Sequence, residues 1–197
     1  MKKVLKHTMS AAAAGGLLLV GGVWSLLFWR YGLYPFGSKT ISWCDMNQQV
    51  VPLLCEFKDI LEGKGSLFLN LQNAGGMNFW GVFLFFISSP FTFLVAFVEK
   101  WQMMRFANIL VLLKIMLCAG CASVFFDRIF PKLRPFFTVL LSISYAFCGY
   151  TMLFYQNMVW LDMMYLFPLF LLSLHHLAKT GSLAPYAFCL AAMITVN

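Results

Sequence analysis

Long apolar runs dominate the chain and come close to the length of membrane-spanning helices. They cover residues 11–29, 107–126, 136–153, 163–177 and 183–197. A helix needs about 20 mostly apolar residues to cross the hydrocarbon core of a bilayer. The strands of a membrane barrel alternate polar and apolar residues instead. The pattern therefore predicts an all-α, polytopic transmembrane protein.

The first run follows three lysines, Lys2, Lys3 and Lys6, and contains no charge before Arg30. Positive charge next to a spanning helix is typical of the cytoplasmic side, which predicts a cytoplasmic N-terminus. A cleaved signal peptide is the competing interpretation. The small residues 11–16 precede the apolar stretch instead of following it, which favours an uncleaved first helix.

A polar, turn-rich segment, residues 34–78, follows the first helix. Within it, residues 48–61 separate apolar from charged side chains with helical spacing. The apolar set is Val51, Leu54, Cys55, Phe57 and Leu61, and the charged set is Glu56, Lys58, Asp59 and Glu62. The spacing predicts an amphipathic helix lying on the membrane surface. A solvated loop helix is the alternative.

The apolar stretch 79–98 is long enough to span but carries Ser88, Ser89 and Pro90 at its middle. Proline removes a backbone donor and breaks a helix, so the stretch is either one kinked span or two half-helices that return to the same side. In the re-entrant case seven basic residues lie inside and five outside: Lys2, Lys3, Lys6, Arg128, Lys132, Arg134 and Lys179 against Lys39, Lys58, Lys64, Lys100 and Arg105. This bias favours the re-entrant arrangement.

Three parts are therefore expected. Residues 1–33 form a cytoplasmic tail and the first transmembrane helix, residues 34–106 an outer loop with amphipathic and re-entrant helices, and residues 107–197 about four transmembrane helices, the last one truncated.

The composition agrees with a membrane protein, since 61% of the residues are hydrophobic and 11% charged, against about 25% charged in soluble domains. The net charge of +7 is scattered around the apolar runs. It indicates a lipid bilayer as partner and no nucleic acid.

Polar side chains cluster just before the predicted amphipathic helix: Asp45, Asn47, Gln48 and Gln49. A positioned carboxylate can act as a general base, and the amides can hydrogen-bond a sugar or a carboxylate. Asp45 is therefore a candidate catalytic residue. The alternative is that Asp45 caps the helix that follows it.

Two further charges are candidates. The re-entrant arrangement places Asp162, preceded by Asn157 and Trp160, on the same outer face as Asp45. Its alternative role is to complement the dipole of the next helix. Lys114 interrupts an apolar helix about two turns from its outer end, where it would reach a lipid phosphate. A lysine that extends to the interface is the alternative there.

Short pieces along almost the whole chain match one family in order and spacing. They are Tyr34-Pro35-Phe36-Gly37, Asp45-Met46-Asn47-Gln48-Gln49, Asn73 through Gly76 to Asn78, Ser89-Pro90-Phe91, Leu113-Lys114, Ser144-Tyr145-Ala146 with Gly149-Tyr150, and Trp160-Leu161-Asp162. The sequence thereby resembles the YfhO family of bacterial integral membrane proteins. Members are several times longer, so the chain is expected to be an N-terminal fragment, inactive alone.

The resemblance implies a function as well as a fold. The family is similar to GT-C glycosyltransferases, which use a polyprenyl-phosphate sugar and commonly take an acidic residue of the first outer loop as base and a later one as assistant. Asp45 and Asp162 stand at those positions. The acceptor would be a cell-surface polymer such as lipoteichoic acid, at the bacterial cytoplasmic membrane.

The expected binding residues are Asn47, Gln48, Gln49, Lys114, Asn157 and Trp160. Lys114, or a divalent metal ion held partly by Asp162, would neutralise the donor phosphate. The alternative function is a lipid or sugar transporter, or an accessory subunit without enzymatic activity, because broken helices are a transporter device.

Overall fold

The computed structural model describes residues 11–41, 43–72 and 75–196. The α-helices are α1 (Ala11–Tyr31), α2 (Val51–Leu61), α3 (Phe79–Val82), α4 (Met103–Ile129), α5 (Pro135–Ala146), α6 (Gly149–Phe154), α7 (Met158–Thr180) and α8 (Ala184–Thr195). The π-helical turns are Met46–Val50 and Phe83–Ile87, and the 3₁₀ segments are Pro90–Phe97 and Lys100–Gln102. The expected cytoplasmic tail, residues 1–10, lies outside the described residues.

The described part of the chain is helical apart from its loops and two isolated β-bridges. Within the described residues, four helical stretches are long and apolar enough to cross a membrane: Ala13–Tyr31, Lys100–Ile129, Pro135–Phe154 and Met158–Thr180. The prediction of an all-α, polytopic membrane protein is confirmed. The last apolar run forms the shorter helix α8.

Small residues let α1 and α4 pack closely in opposite directions. A Cβ atom on Gly21 would lie 2.8 Å from Met116 Cε, and Gly16 lies against Ser123. Small residues at such crossings are typical of membrane helices, since the backbones can approach. The end of α1 therefore lies beside the start of α4, where the Ile41 amide donates to Asn108 Oδ1 at 2.9 Å. We call this the loop end of the bundle.

The broken apolar stretch forms two arms, Phe79–Ile87 and Pro90–Phe97, bent by 108°. We call them the first and second arm of the re-entrant pair. Carbonyls freed at the break receive side-chain donors, since the Ser88 hydroxyl donates to the Leu84 carbonyl at 2.7 Å. Because α1 ends and α4 begins at the loop end, the chain between them leaves and returns there. We infer from this packing that the segment is re-entrant and does not cross the membrane.

The predicted amphipathic helix is present as α2, but protein covers its apolar face. Leu53, Leu54 and Phe57 are buried. The Phe57 ring lies 4.8 Å from the ring of Phe83 and 5.5 Å from that of Phe93, between centroids. The helix therefore packs on the re-entrant pair, whereas the sequence predicted contact with lipid.

Three of the predicted runs show the largest differences from the observed helices. α4 and α7 begin at Met103 and Met158 instead of at residues 107 and 163, and the predicted helix 136–153 is interrupted between α5 and α6. Hydropathy began the predicted run at residue 163, just after Asp162, but Asp162 lies inside α7. The helix can include it because Asp162 pairs with Lys114.

A topology prediction follows from the antiparallel packing. Single cysteines at positions 45 and 102, in a cysteine-free background, are expected to react with an impermeant thiol reagent in intact cells. A cysteine at position 130 should react only after permeabilisation, because Phe130 follows α4 at the opposite end. Reaction of 45 and 102 from opposite sides of the membrane would contradict the re-entrant arrangement.

Candidate functional site

A cleft of about 490 Å³ opens between the α2 region and the first arm. The wall from the α2 region carries the polar side chains, and the opposite wall is apolar. The lining residues are Asp45, Gln48, Gln49, Pro52, Leu53 and Glu56 from the α2 region, and Met77, Val82 and Phe86 from the first arm and the residues before it. Three of the residues predicted from the sequence, Asp45, Gln48 and Gln49, thus line one cavity.

Helical spacing assembles the polar wall. Gln49, Leu53 and Glu56 recur at intervals of four and three residues, which places them on one face of a continuous helical segment. Sequence reasoning missed Glu56, although the same spacing would have identified it. Both charged residues of the lining are carboxylates, so the cleft can accept protons and hydrogen bonds from hydroxyl groups.

The residue before Asp45 has a left-handed backbone conformation. Cys44 has φ +45°, a value that residues with a Cβ atom rarely adopt. Asp45 follows as an exposed residue at the helix start, and its side chain makes no capping hydrogen bond. The structure therefore gives no support to the capping alternative, and Asp45 is one of the residues that line the cleft.

The cations at the end of α2 have acidic partners of their own. Lys58 Nζ lies 2.7 Å and Lys64 Nζ 2.5 Å from the carboxylate oxygens of Glu62. Hydrogen bonds from these two lysines lower the pKa of Glu62 to about 2. Neither lysine lines the cleft.

Asp162 and Lys114 come together in the interior of the bundle. Lys114 Nζ lies 2.8 Å from Asp162 Oδ2, and the two side chains are 1% and 0% exposed. Lys114 also donates to Ser89 Oγ at 3.0 Å. Neither charge lines the cleft of Asp45. The structure thus places the predicted pair of aspartates in two different environments, and the predicted contact of Lys114 with a lipid phosphate is replaced by this ion pair.

The remaining predicted binding residues lie near the cleft residues in sequence or at the start of α7. Asn47 is exposed and does not line the cleft. Asn157 is half-buried at the position preceding α7. The Trp160 ring packs against Phe154 and Tyr150, with centroids 5.3 Å and 6.4 Å apart. The structure does not bring these three residues into the cleft.

The sequence matches the family model described as "Bacterial membrane protein YfhO" over residues 17–197. The chain belongs to the YfhO family. No curated protein and no solved structure matches it significantly. In this YfhO protein the match includes the loop segment with the cleft and the helices with the buried ion pair.

The YfhO residues around Asp162 do not fit a metal ion. Its Oδ2 atom is bonded to the Lys114 ammonium. Within residues 11–41, 43–72 and 75–196, no three His, Cys, Asp or Glu side chains are grouped so that they could hold a metal. We therefore assign no step to a metal held by Asp162.

Proposed function

We propose that this YfhO protein is a membrane glycosyltransferase that moves a sugar from a polyprenyl-phosphate donor to a cell-surface polymer such as lipoteichoic acid. The observation that carries the proposal is the cleft, in which Asp45 shares a wall with two amides and a second carboxylate opposite apolar side chains. Carboxylates and amides bind sugar hydroxyls, and the apolar wall suits the faces of sugar rings.

Asp45 acts as the general base in the proposed mechanism. An acceptor hydroxyl, whose pKa is far above 7, loses its proton to the Asp45 carboxylate as its oxygen attacks the anomeric carbon of the donor. The bond between that carbon and the phosphate oxygen breaks, and the polyprenyl phosphate leaves as a stable anion. No general acid is needed, in contrast to glycosidases.

Exposed apolar side chains beside the cleft suit the lipid part of such a donor. Trp80, Leu84 and Phe85 of the first arm are exposed. A prenyl chain lying against them would leave its sugar at the cleft, on the outer face of the cytoplasmic membrane. The positive charge before α1 supports this orientation.

Donor protection tests the proposal. A cysteine replacing Gln48, in a cysteine-free background, is expected to react several-fold more slowly with a thiol reagent when a polyprenyl phosphate carrying glucose, galactose or N-acetylglucosamine is present. A cysteine replacing Lys39 is the control, because Lys39 is exposed in the same loop but does not line the cleft. Unchanged labelling at position 48 with all three donors would contradict a donor site in this cleft.

One observation favours a second candidate, a lipid or sugar transporter. The break of the re-entrant pair contacts buried charges, and transporters use broken helices beside ion or substrate sites. A transporter would release the sugar unchanged, whereas a transferase leaves it covalently bound to the acceptor.

A further inference from the structure

The break of the re-entrant pair touches the bundle at a buried polar point. The Lys114 ammonium donates to Ser89 Oγ at 3.0 Å, to the Met158 carbonyl at 3.0 Å and to Asp162 Oδ2 at 2.8 Å. A lysine ammonium has three donors, so each of them has an acceptor. We call Ser89, Lys114 and Asp162 the buried joint, and none of the three is more than 4% exposed.

The joint connects the re-entrant pair to the transmembrane helices α4 and α7. Lys114 and Asp162 lie on α4 and α7, whereas Ser89 lies between the two arms. The Phe91 ring adds a cation–π contact with Lys114, whose Nζ lies 5.7 Å from the ring centroid, and an edge-to-face contact with Tyr165 at 6.3 Å between centroids. A buried ion pair is weak evidence for stability, because apolar residues often serve as well. An apolar pair would lack the hydrogen bond from α4 to Ser89 that Lys114 supplies.

Both walls of the cleft depend on the re-entrant pair. The first arm contributes Val82 and Phe86 directly. The second arm is bound to α2, because the buried Lys58 ammonium donates to the Ala96 carbonyl at 3.3 Å and Phe57 packs on Phe93. A shift of the break would therefore move one wall directly and the other through the second arm.

We propose that the buried joint is a positioning device that holds the re-entrant pair at a fixed depth against α4 and α7 and so sets the spacing between the walls of the Asp45 cleft. Its members are positioning residues and do not touch the substrate. The inference deepens the proposed function and rests on it only in taking the cleft as the binding site. Its test measures the cleft without any substrate.

The test places a cysteine at Phe86 in an otherwise cysteine-free protein and measures its rate of labelling in membranes. Ser89→Ala is expected to raise this rate about tenfold, the effect of losing a hydrogen bond to a buried charged donor. Ser88→Ala is the matched control. The Ser88 hydroxyl is also buried but donates to Leu84 within the first arm. Loss of such a local bond should change the rate by about twofold or less.

Ser89 Oγ also accepts from the Phe91 amide at 3.3 Å, so Ser89→Ala removes this local hydrogen bond as well as the one from Lys114. Repeating the substitution in a protein without the buried charges separates the two effects. With Lys114→Met and Asp162→Leu combined, Ser89→Ala is expected to change the labelling rate by about twofold or less. No increase with Ser89→Ala in the unmodified background, or the same increase in both backgrounds, would overturn the proposal. Failure of donor protection at position 48 would contradict the glycosyltransferase proposal and leave this result unaffected.

Discussion

Asp45→Asn is expected to lower the rate of sugar transfer by about 10²- to 10⁴-fold, the contribution typical of a general base. The amide is nearly isosteric but cannot take the proton of the acceptor hydroxyl. The substitution removes no capping hydrogen bond, so expression and membrane insertion should not change. The measurement is transfer of a radiolabelled sugar from polyprenyl phosphate to envelope polymer, in membranes that contain the intact protein.

Two other carboxylates supply controls for this experiment. Asp127→Asn removes an acidic charge near the end of α4, at the opposite end of the bundle, and should leave transfer unchanged. Glu56→Gln changes a residue that lines the cleft and is expected to weaken substrate binding more than the chemical step. An Asp45→Asn protein that transfers sugar at the unmodified rate would exclude Asp45 as the base.

Lys114→Met is expected to destabilise the folded protein by about 3–5 kcal/mol, because it leaves the Asp162 carboxylate buried without its cation. For a chain of this size that corresponds to a fall of roughly 10 °C in the apparent Tm. The measurement is thermal unfolding in detergent, in which the fraction of protein that remains monodisperse is recorded at each temperature.

The double variant Lys114→Met with Asp162→Leu supplies the matched comparison. With both charges removed, the free energy of unfolding should return to within about 1 kcal/mol of that of the unmodified protein or exceed it, and the apparent Tm should recover accordingly, since buried ion pairs are often replaceable by apolar residues. A single variant as stable as the unmodified protein would show that Asp162 does not depend on Lys114. A double variant as unstable as the single one would show that the charges themselves are required for folding.

The sequence by itself determined the class of protein and its family. A spanning helix cannot be assembled from distant pieces, because about 20 consecutive apolar residues must satisfy their own backbone in lipid. The break at Ser88, Ser89 and Pro90 could also be predicted, because proline interrupts the backbone hydrogen bonds of a helix locally. The Asp45 cluster was visible because its polar residues are adjacent in sequence.

Only the tertiary structure decided which side chains meet. Lys114 and Asp162 are 48 residues apart, and no helical period predicts a contact between two different helices. Because the sequence did not predict this ion pair, it also did not predict that α7 begins before Asp162. The opposite wall of the cleft comes from the first arm, and the apolar face of α2 is covered by protein. An amphipathic pattern records that a face is shielded from water but not whether lipid or protein shields it, since both are apolar.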